Sequence, residues 1–488
     1  MTGHCANYGR LLDRGSSRGS LLVCGSLLTF ALMVACVTRG PALVTGALNN
    51  PLSSDAGTCS LYASPAGSDQ NSGGSPALPK TFLGAAAASR PGAVVCLLGG
   101  TYSLSSGFKP PKSGTPSAWI IYRNYGDAPV KFVWAGAADA APMFDMNGGR
   151  FPSNPAYLEF RGLNLDGGGK AGDGFFCRGS HHLRFIGNSI SNTGGSGIGS
   201  IKCDYLVADH NVINHNGYVP ADARRNARYY SWTSGISFNS NQWYDSYAGF
   251  HNIISNNIVA DEVDQSSKHS DGNGIILDLS DRSYDAGSAN TPPALVLNNV
   301  VYGNGGRCIE AYIVTNFWFV NNTCYKNNLD PAVGKEGSIT VNSSRNGYVI
   351  NNIAVPSNPA TPCYLDENTS KSVRYCRNLC FAGSNEASAS DPYQIIHADP
   401  LFLRPAYPHS GTSAQAAKAL TPDLLGNALM LQPTSQALSR GLDPASLPNL
   451  SDALVRDLKK YVYRDIDGTP RPQDRGFDLG AYQSSSAQ

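Results

Sequence analysis

Asn299-Val-Val-Tyr-Gly-Asn304 and Asn322-Thr-Cys-Tyr-Lys-Asn327 are one phrase written twice: an Asn, a short apolar stretch and a second Asn. It recurs upstream as Asn188-Ser-Ile-Ser-Asn192, Asn211-Val-Ile-Asn-His-Asn216 and Asn257-Ile-Val-Ala260, and downstream as Asn352-Ile-Ala-Val355. The leading Asn residues are separated by 23, 46, 42, 23 and 30 residues, so 23 is the unit and the excess is insertion. A period in this range marks a repeat protein, in which each unit buries its apolar face only by stacking on its neighbours.

The unit is too short and too β-branched for a pair of helices. Gly235-Ile-Ser-Phe-Asn-Ser240, Gly274-Ile-Ile-Leu-Asp-Leu279 and Gly337-Ser-Ile-Thr-Val-Asn342 alternate apolar and polar residues, as strands with one inward face do. Asn suits the corners between strands, because it tolerates the left-handed backbone region and its amide bonds to turns. Stacked Asn side chains can also form ladders. The expected architecture is all-β, a right-handed parallel β-helix, with the six leading Asn residues in one column. An Asn-rich sandwich would not repeat its phrase at an interval.

A chain of 488 residues with 52 Gly, 30 Pro and only 15% charged residues suits a turn-rich solenoid. The net charge of +1 gives no bias toward nucleic acid. Arg10, Arg14 and Arg18 precede the uncharged run Leu21–Val37, a basic and then apolar pattern that reads as an export signal or membrane anchor over residues 1–37. Cleavage, a lipid on Cys36 and an uncleaved anchor are the three outcomes this leaves, with the protein secreted, periplasmic or held at the outer membrane. No later segment is long and apolar enough to span a bilayer. Residues 38–57 read as a linker, 58–385 as the β-helix and 386–488 as its C-terminal end, which wraps or caps the solenoid. In an exported chain, the cysteines from Cys59 onward read as disulfides. Cys59 with Cys96 and Cys177 with Cys203 are two pairings that would tie adjacent rungs.

Leu61-Tyr-Ala-Ser-Pro-Ala-Gly-Ser-Asp69, a helical stretch at 81–88, Gly99-Gly-Thr-Tyr102 and Trp119-Ile-Ile-Tyr-Arg-Asn-Tyr-Gly-Asp127 open the folded part. Ala398-Asp-Pro-Leu-Phe402, Asp465-Ile-Asp-Gly-Thr-Pro-Arg-Pro472 and Asp478-Leu-Gly-Ala-Tyr482 close it. In these phrases the chain resembles the secreted bacterial right-handed parallel β-helix proteins of the pectate-lyase-like superfold. The resemblance implies a capping helix at the N-terminal end. It does not choose an activity, because such folds carry lyases, hydrolases, epimerases and non-catalytic surface proteins.

Candidate chemistry lies where the repeat is interrupted, since insertions in a solenoid gather on its binding face. The first insertion offers Arg228, Tyr229, Tyr230 and Trp232 to a sugar, and Trp243 further on; the second offers Asp261, Asp264, Lys268, His269 and Asp271. Strand alternation puts Arg178, Asn239, Asp278, Tyr312 and Asn342 in one outward column, and Ser237, Ile276, Glu310 and Thr340 in another. Asp278 and Glu310 are then diagonal neighbours on an exposed sheet, about 4.8 Å apart in rung spacing. Carboxylates so close share a cation or raise one another's pKa.

Uronic-acid polymers are cleaved by β-elimination when a cation neutralises the substrate carboxylate, a base takes the C5 proton and an acid protonates the leaving oxygen. Lys268 is the expected base and His269 the next choice, with Asp278 and Glu310 acting beside them. Asp261, Asp264 and Asp271 are the expected ligands of a Ca²⁺ ion; Ser270-Asp271-Gly272 resembles a calcium-ligand stretch of the β-helix pectate lyases, whose adjacent Asp pair is absent here. Arg178, Arg228, Tyr229, Tyr230, Trp232, Asn239 and Tyr312 are the expected substrate contacts. An exported polysaccharide lyase is therefore the leading expectation. A glycoside hydrolase or C5-epimerase using the same carboxylates, and a non-catalytic glycan binder, are the alternatives.

Overall fold

The computed structural model describes residues 57–148, 152, 155–219, 230, 232–266, 268–279, 290–333, 336–367, 372–384, 395–404, 427–472 and 476–484. The N-terminal 1–37 and most of the 38–57 linker lie outside them, as do Arg228 and Tyr229. Every strand-to-strand pairing is parallel, and successive rungs stack with in-register partners, such as Asn257's neighbour Ile258 opposite Val212 on one side and Val300 on the other. The strands form a 20-stranded and an 8-stranded sheet, wound around one apolar core. This is a parallel β-helix. The eight strands of the smaller sheet are β1 (Phe144–Asn147), β2 (Phe175–Arg178), β3 (Ile198–Ile201), β4 (Ser234–Asn239), β5 (Asn273–Asp278), β6 (Ile309–Tyr312), β7 (Ile339–Asn342) and β8 (Tyr364–Glu367).

The Asn phrase forms a continuous amide ladder. Asn188 Nδ2 donates to Asn211 Oδ1 at 3.1 Å, and the same bond repeats from Asn211 to Asn257, Asn257 to Asn299, Asn299 to Asn322, Asn322 to Asn352 and Asn352 to Asn378 at 2.9–3.0 Å. All seven side chains are at most 1% exposed. Each Nδ2 also bonds a main-chain carbonyl, for example Asn299 to Ile254. The backbone reason for Asn differs from the expectation. The ladder residues are not left-handed; the residue before each one is, at Gly187, His210, Asn256, Asn298, Asn321, Asn351 and Arg377. Four rungs therefore carry an Asn-Asn pair, with the first Asn supplying the αL turn and the second turning inward.

The outward Asn of these pairs has its own work. Asn298 Nδ2 donates to Arg464 O, Asn321 Nδ2 to Asp478 O and Gly480 O, and Asn351 Nδ2 to Leu442 O. The described part of the C-terminal segment thus adds a strand, Ile395–His397, beside Asn378–Cys380 and is then fastened along the flank of the solenoid. Its helix, Asp452–Tyr461, buries Leu458 against Phe250, Leu295 and Trp318 on the outside of the larger sheet. At the other end, the helix Phe82–Ala88 is N-capped by Thr81, whose Oγ1 accepts from Gly84 N at 3.0 Å. It drives Phe82 onto Phe108 and Phe132, with ring centroids 4.5 and 5.0 Å away, closing the first rung as expected of a capping helix.

Disulfides join Cys59 to Cys96, Cys308 to Cys324 and Cys363 to Cys380. Such bonds belong to oxidising compartments, in keeping with an exported chain. The expected Cys177–Cys203 bond is absent. Both are buried free thiols in contact, and burial, with Cys203 beside it, pushes Cys177 well above its ordinary pKa. Among the described residues no helix is long and apolar enough to cross a membrane.

Candidate active site

The outward columns of the smaller sheet follow the alternation. Arg178, Ile201, Asn239, Asp278, Tyr312, Asn342 and Glu367 occupy consecutive register positions from β2 to β8. Ser237, Ile276, Glu310 and Thr340 form the second column, so Asp278 and Glu310 are diagonal neighbours. Amides feed carboxylates along the first column: Asn239 Nδ2 donates to Asp278 Oδ2 at 2.7 Å and Asn342 Nδ2 to Glu367 Oε2 at 2.8 Å. The face is not the open sheet that was expected. Asp278 is 8% and Glu310 3% exposed, so neither is a solvated surface acid.

Arg307, in the turn before β6, organises this cluster. Its Nη1 lies 3.4 Å from Glu310 Oε2 and its Nη2 3.2 Å from Glu336 Oε2, and Nη1 also donates to Ser270 O. Asn273 holds both partners: its Nδ2 donates to Glu310 Oε2 at 3.2 Å and its Oδ1 accepts from Arg307 N at 2.9 Å. Among the described residues, the Arg307 guanidinium thus acts on the carboxyls of Glu310, Glu336, Asp271 and Glu367. The imbalance favours keeping protons on some of them. Burial, then Glu310 and Asp278, push Asp271 well above the carboxylate range, and Arg307 offsets this only in part. Burial also raises Glu310 against the pull of Arg307. Tyr312 is raised by burial and by Asp278, so its phenol keeps its proton.

The loop before β5 carries the remaining candidates, and Asp264 shapes it. Its carboxylate accepts from the amides of Ser266, Ser270 and Asp271. His269, on that loop, places Nε2 2.8 Å from Asp330 Oδ2 on the next rung. Lys268 is exposed, with its ammonium 5.5 Å from the ring centre of Trp232, which is itself 53% exposed. One residue from each insertion therefore meets here. Of the two expected bases, His269 is braced by a carboxylate and Lys268 is not drawn into the acidic cluster.

The expected Ca²⁺ ligands do not converge. Asp261 is taken by Tyr218 Oη and His215 Nδ1, each at 2.6 Å. Asp264 is committed to backbone amides, and Asp271 faces Glu310 and Asp278. Among the described residues no group of three or more His, Cys, Asp or Glu is arranged to hold a metal ion. A hard cation needs several carboxylate oxygens on one point, and this donor set does not fit one.

Tyr230 is likewise no sugar contact. It is 1% exposed, its Oη donates to Lys170 O at 3.0 Å and accepts from Ala140 N at 3.0 Å, and it packs on Val219. The stretch from Trp243 to His251 turns away from the acidic face. It folds over a corner where Tyr157, His182 and Tyr205 hold left-handed backbones, and Tyr205 stacks between His182 and His251 at 4.4 and 4.3 Å. His251 is locked there between Asp204 Oδ2 at 2.7 Å and Tyr247 O at 2.9 Å. Among the described residues, the two insertions meet through their parts before β4 and β5, at Trp232 and Lys268. Arg307, Asn273, Asp330 and Glu336 were missed in the sequence. The slot after the second Asn of each phrase, Gly305-Gly306-Arg307 and Asn328-Leu329-Asp330, was the signal that could have found two of them.

A second polar ladder underlies the site loop. Asn216 Nδ2 donates to Glu262 Oε1 at 3.0 Å, Glu262 N donates to Asn304 Oδ1 at 2.9 Å, and Asn304 Nδ2 donates to Asn327 Oδ1 at 2.8 Å. Glu262 fills an Asn slot, and burial pushes it well above its ordinary value of 4.5. A carboxyl raised on folding makes the native state hold the extra proton, so its stability is full below about pH 4.5 and declines as pH rises toward the folded pKa. Glu262→Gln keeps the accepting oxygen and cannot ionise. It is expected to match the parent at pH 4 and to exceed it in denaturant midpoint at pH 8; equal midpoints at both would show that Glu262 is not a buried neutral acid.

No family model and no curated protein matches this chain. Its fold is similar to that of pectate lyase Pel9A, at 18% identity over 87% of this chain and 96% of that one, with a TM-score of 0.48. A glycoside hydrolase matches at 9% identity over 67% of this chain and 94% of its own, TM-score 0.49. PfbA, a surface adhesin of Streptococcus pneumoniae, matches at 12% identity over 61% and 78%, TM-score 0.44. At these levels the likeness is one of fold, and function rests on the site.

Proposed function

We propose that this protein cleaves a uronic-acid polysaccharide by β-elimination, with the polymer lying across the smaller sheet. The observation that carries the reading is a braced imidazole, His269 on Asp330, in the same short loop as Asp271, a carboxyl that burial and its acidic neighbours push well above the carboxylate range. With Nε2–H donated to Asp330, the His269 Nδ1 lone pair is the base for the C5 proton. The electron pair of the C5–H bond becomes the C4=C5 double bond as the C4–O bond breaks. The leaving oxygen takes a proton from Asp271, and the His269 proton later restores it. A neutral carboxyl can also bond the substrate carboxylate that a cation would otherwise neutralise.

The crowding of Asp271, Asp278 and Glu310 supports a second reading, hydrolysis by an acid–base carboxyl pair. The experiment that tests the first is a panel of polyuronates followed by ultraviolet absorbance of the new double bond. Rising absorbance without uptake of labelled oxygen from water is the expected result. New reducing ends carrying labelled oxygen and no absorbance would replace elimination by hydrolysis.

A further inference from the structure

A further carboxyl with a raised pKa, Asp173, stands on the same face, three rungs before Glu310, and neither reading above uses it. Asp173 lies in the turn before β2, yet its carboxyl reaches over β3. A Cβ added at Gly199 would meet Asp173 Oδ2 at 2.9 Å, and one at Gly195 would meet Oδ1 at 2.5 Å. Gly199 occupies the outward column that continues through Ser237 and Ile276 to Glu310. Two glycines therefore clear the space in which this carboxyl sits, and a side chain at either would expel it. Oδ1 accepts from Ser196 N at 2.6 Å, while Oδ2 has no hydrogen-bond partner among the described residues.

We propose that Asp173 is a recognition residue for the uronate polymer, its Oδ2 sharing a proton with a substrate carboxylate on a different sugar from the one at the Asp271 cluster. This rests on the acidic-substrate reading above. Three rungs at about 4.8 Å separate Gly199 from Glu310, so the two carboxyls address separate points of one extended chain. An O–H···O⁻ bond needs one proton between two carboxyls, and two carboxylates in the same place repel. The contact therefore holds only while Asp173 is protonated.

Burial raises Asp173 from 3.8 to about 7, with Asp145 adding to the rise and the Ser196 amide opposing it. The titratable and charged groups that the described residues bring to it are few. Asp145 on β1 has its own charge met by Lys109 Nζ at 3.4 Å, and the Cys177 thiol lies beneath on β2 with its proton retained. The switch from donor to repelling anion thus falls near neutral pH and belongs to Asp173.

The test is direct binding of short oligouronates, with neutral oligosaccharides of equal length as controls, to the full chain by calorimetry at pH 5.5 and 8.5. Asp173→Asn keeps the oxygen that accepts from Ser196 and presents an N–H donor at every pH. The variant should bind the oligouronate within about twofold of the parent at pH 5.5 and about tenfold tighter at pH 8.5, on the scale of one pKa unit, with neutral sugars unchanged. A gain of affinity cannot come from misfolding. An unchanged parent-to-variant ratio across the two pH values, weaker binding by the variant at both, or no oligouronate binding at either would overturn the proposal. Binding that follows the expected pattern in a protein that cleaves none of the polymers would sink the lyase reading and leave the Asp173 assignment standing.

Discussion

Asp271→Asn is expected to lower turnover by at least about 10²-fold on any polyuronate the parent cleaves, the usual scale for losing a positioned acid. The change is small in shape. Burial, Glu310 and Asp278 push Asp271 well above the carboxylate range, so an amide of the same size imitates the protonated carboxyl and loses only the transferable proton. Thermal stability at pH 8 should therefore be equal to or above that of the parent, because a group that resists ionisation has been replaced by one that cannot ionise. His269→Ala should produce a loss of similar size, and Asp330→Ala a smaller one, since it removes the brace and leaves the imidazole. Lys268→Ala should stay within about threefold, because Lys268 sits over Trp232 outside the carboxyl cluster and gives up only an exposed contact of about 0.5 kcal/mol. The measurement is kcat/KM from the unsaturated product, with circular dichroism as the folding control. Parent-like turnover in Asp271→Asn would remove the cluster from the chemistry, and a large loss in Lys268→Ala would return the base to that residue.

The largest stability effect is expected at the centre of the Asn ladder. Asn299 Oδ1 accepts both Asn257 N and Asn257 Nδ2 at 2.9 Å, and Asn299 Nδ2 donates to Asn322 Oδ1 and Ile254 O at 2.9 Å. Leu is close in volume, so Asn299→Leu leaves little cavity while stranding buried donors on Asn257. Each stranded group costs about 1–3 kcal/mol, and the sum is about 3–6 kcal/mol before any gain from the added apolar surface. Asn298→Ala, one residue away, breaks bonds to Arg464 O and Asn256 Oδ1 on the flank and should cost about 1 kcal/mol. Urea midpoints of the two variants check the contrast. A cost below 1 kcal/mol for Asn299→Leu would mean that the ladder marks register without supporting it.

Period and alternation determined the fold class, the Asn column and both outward columns. Those are local properties: a side chain on a strand points in or out by parity, and a stacked repeat brings equal positions together. Of the two cysteine pairings offered as ties between adjacent rungs, Cys59–Cys96 forms and Cys177–Cys203 does not. The sequence also marked 261–290 as an insertion, because the repeat is interrupted there, and the candidate loop before β5 lies within it.

What parity cannot report is what covers a face or which loop side chains reach it. Asp278 and Glu310 point outward as the alternation requires, yet both are buried, Asp278 beneath an amide of Asn239 and Glu310 among Arg307 and Asn273, and burial raises the Glu310 carboxyl above its ordinary pKa. Asp261 and Asp264 have the right chemistry for a cation, but tertiary contacts with Tyr218, His215 and three backbone amides claim their oxygens first. His269 gained its brace from Asp330, 61 positions along the chain and one rung away in space. Cys177 and Cys203 met as neighbours and stayed thiols, and Asp173 found its place over Gly199 only because β3 stacks on β2. The repeat sets which positions become neighbours; burial and hydrogen-bond competition among those neighbours decide which charges survive and where a proton is kept.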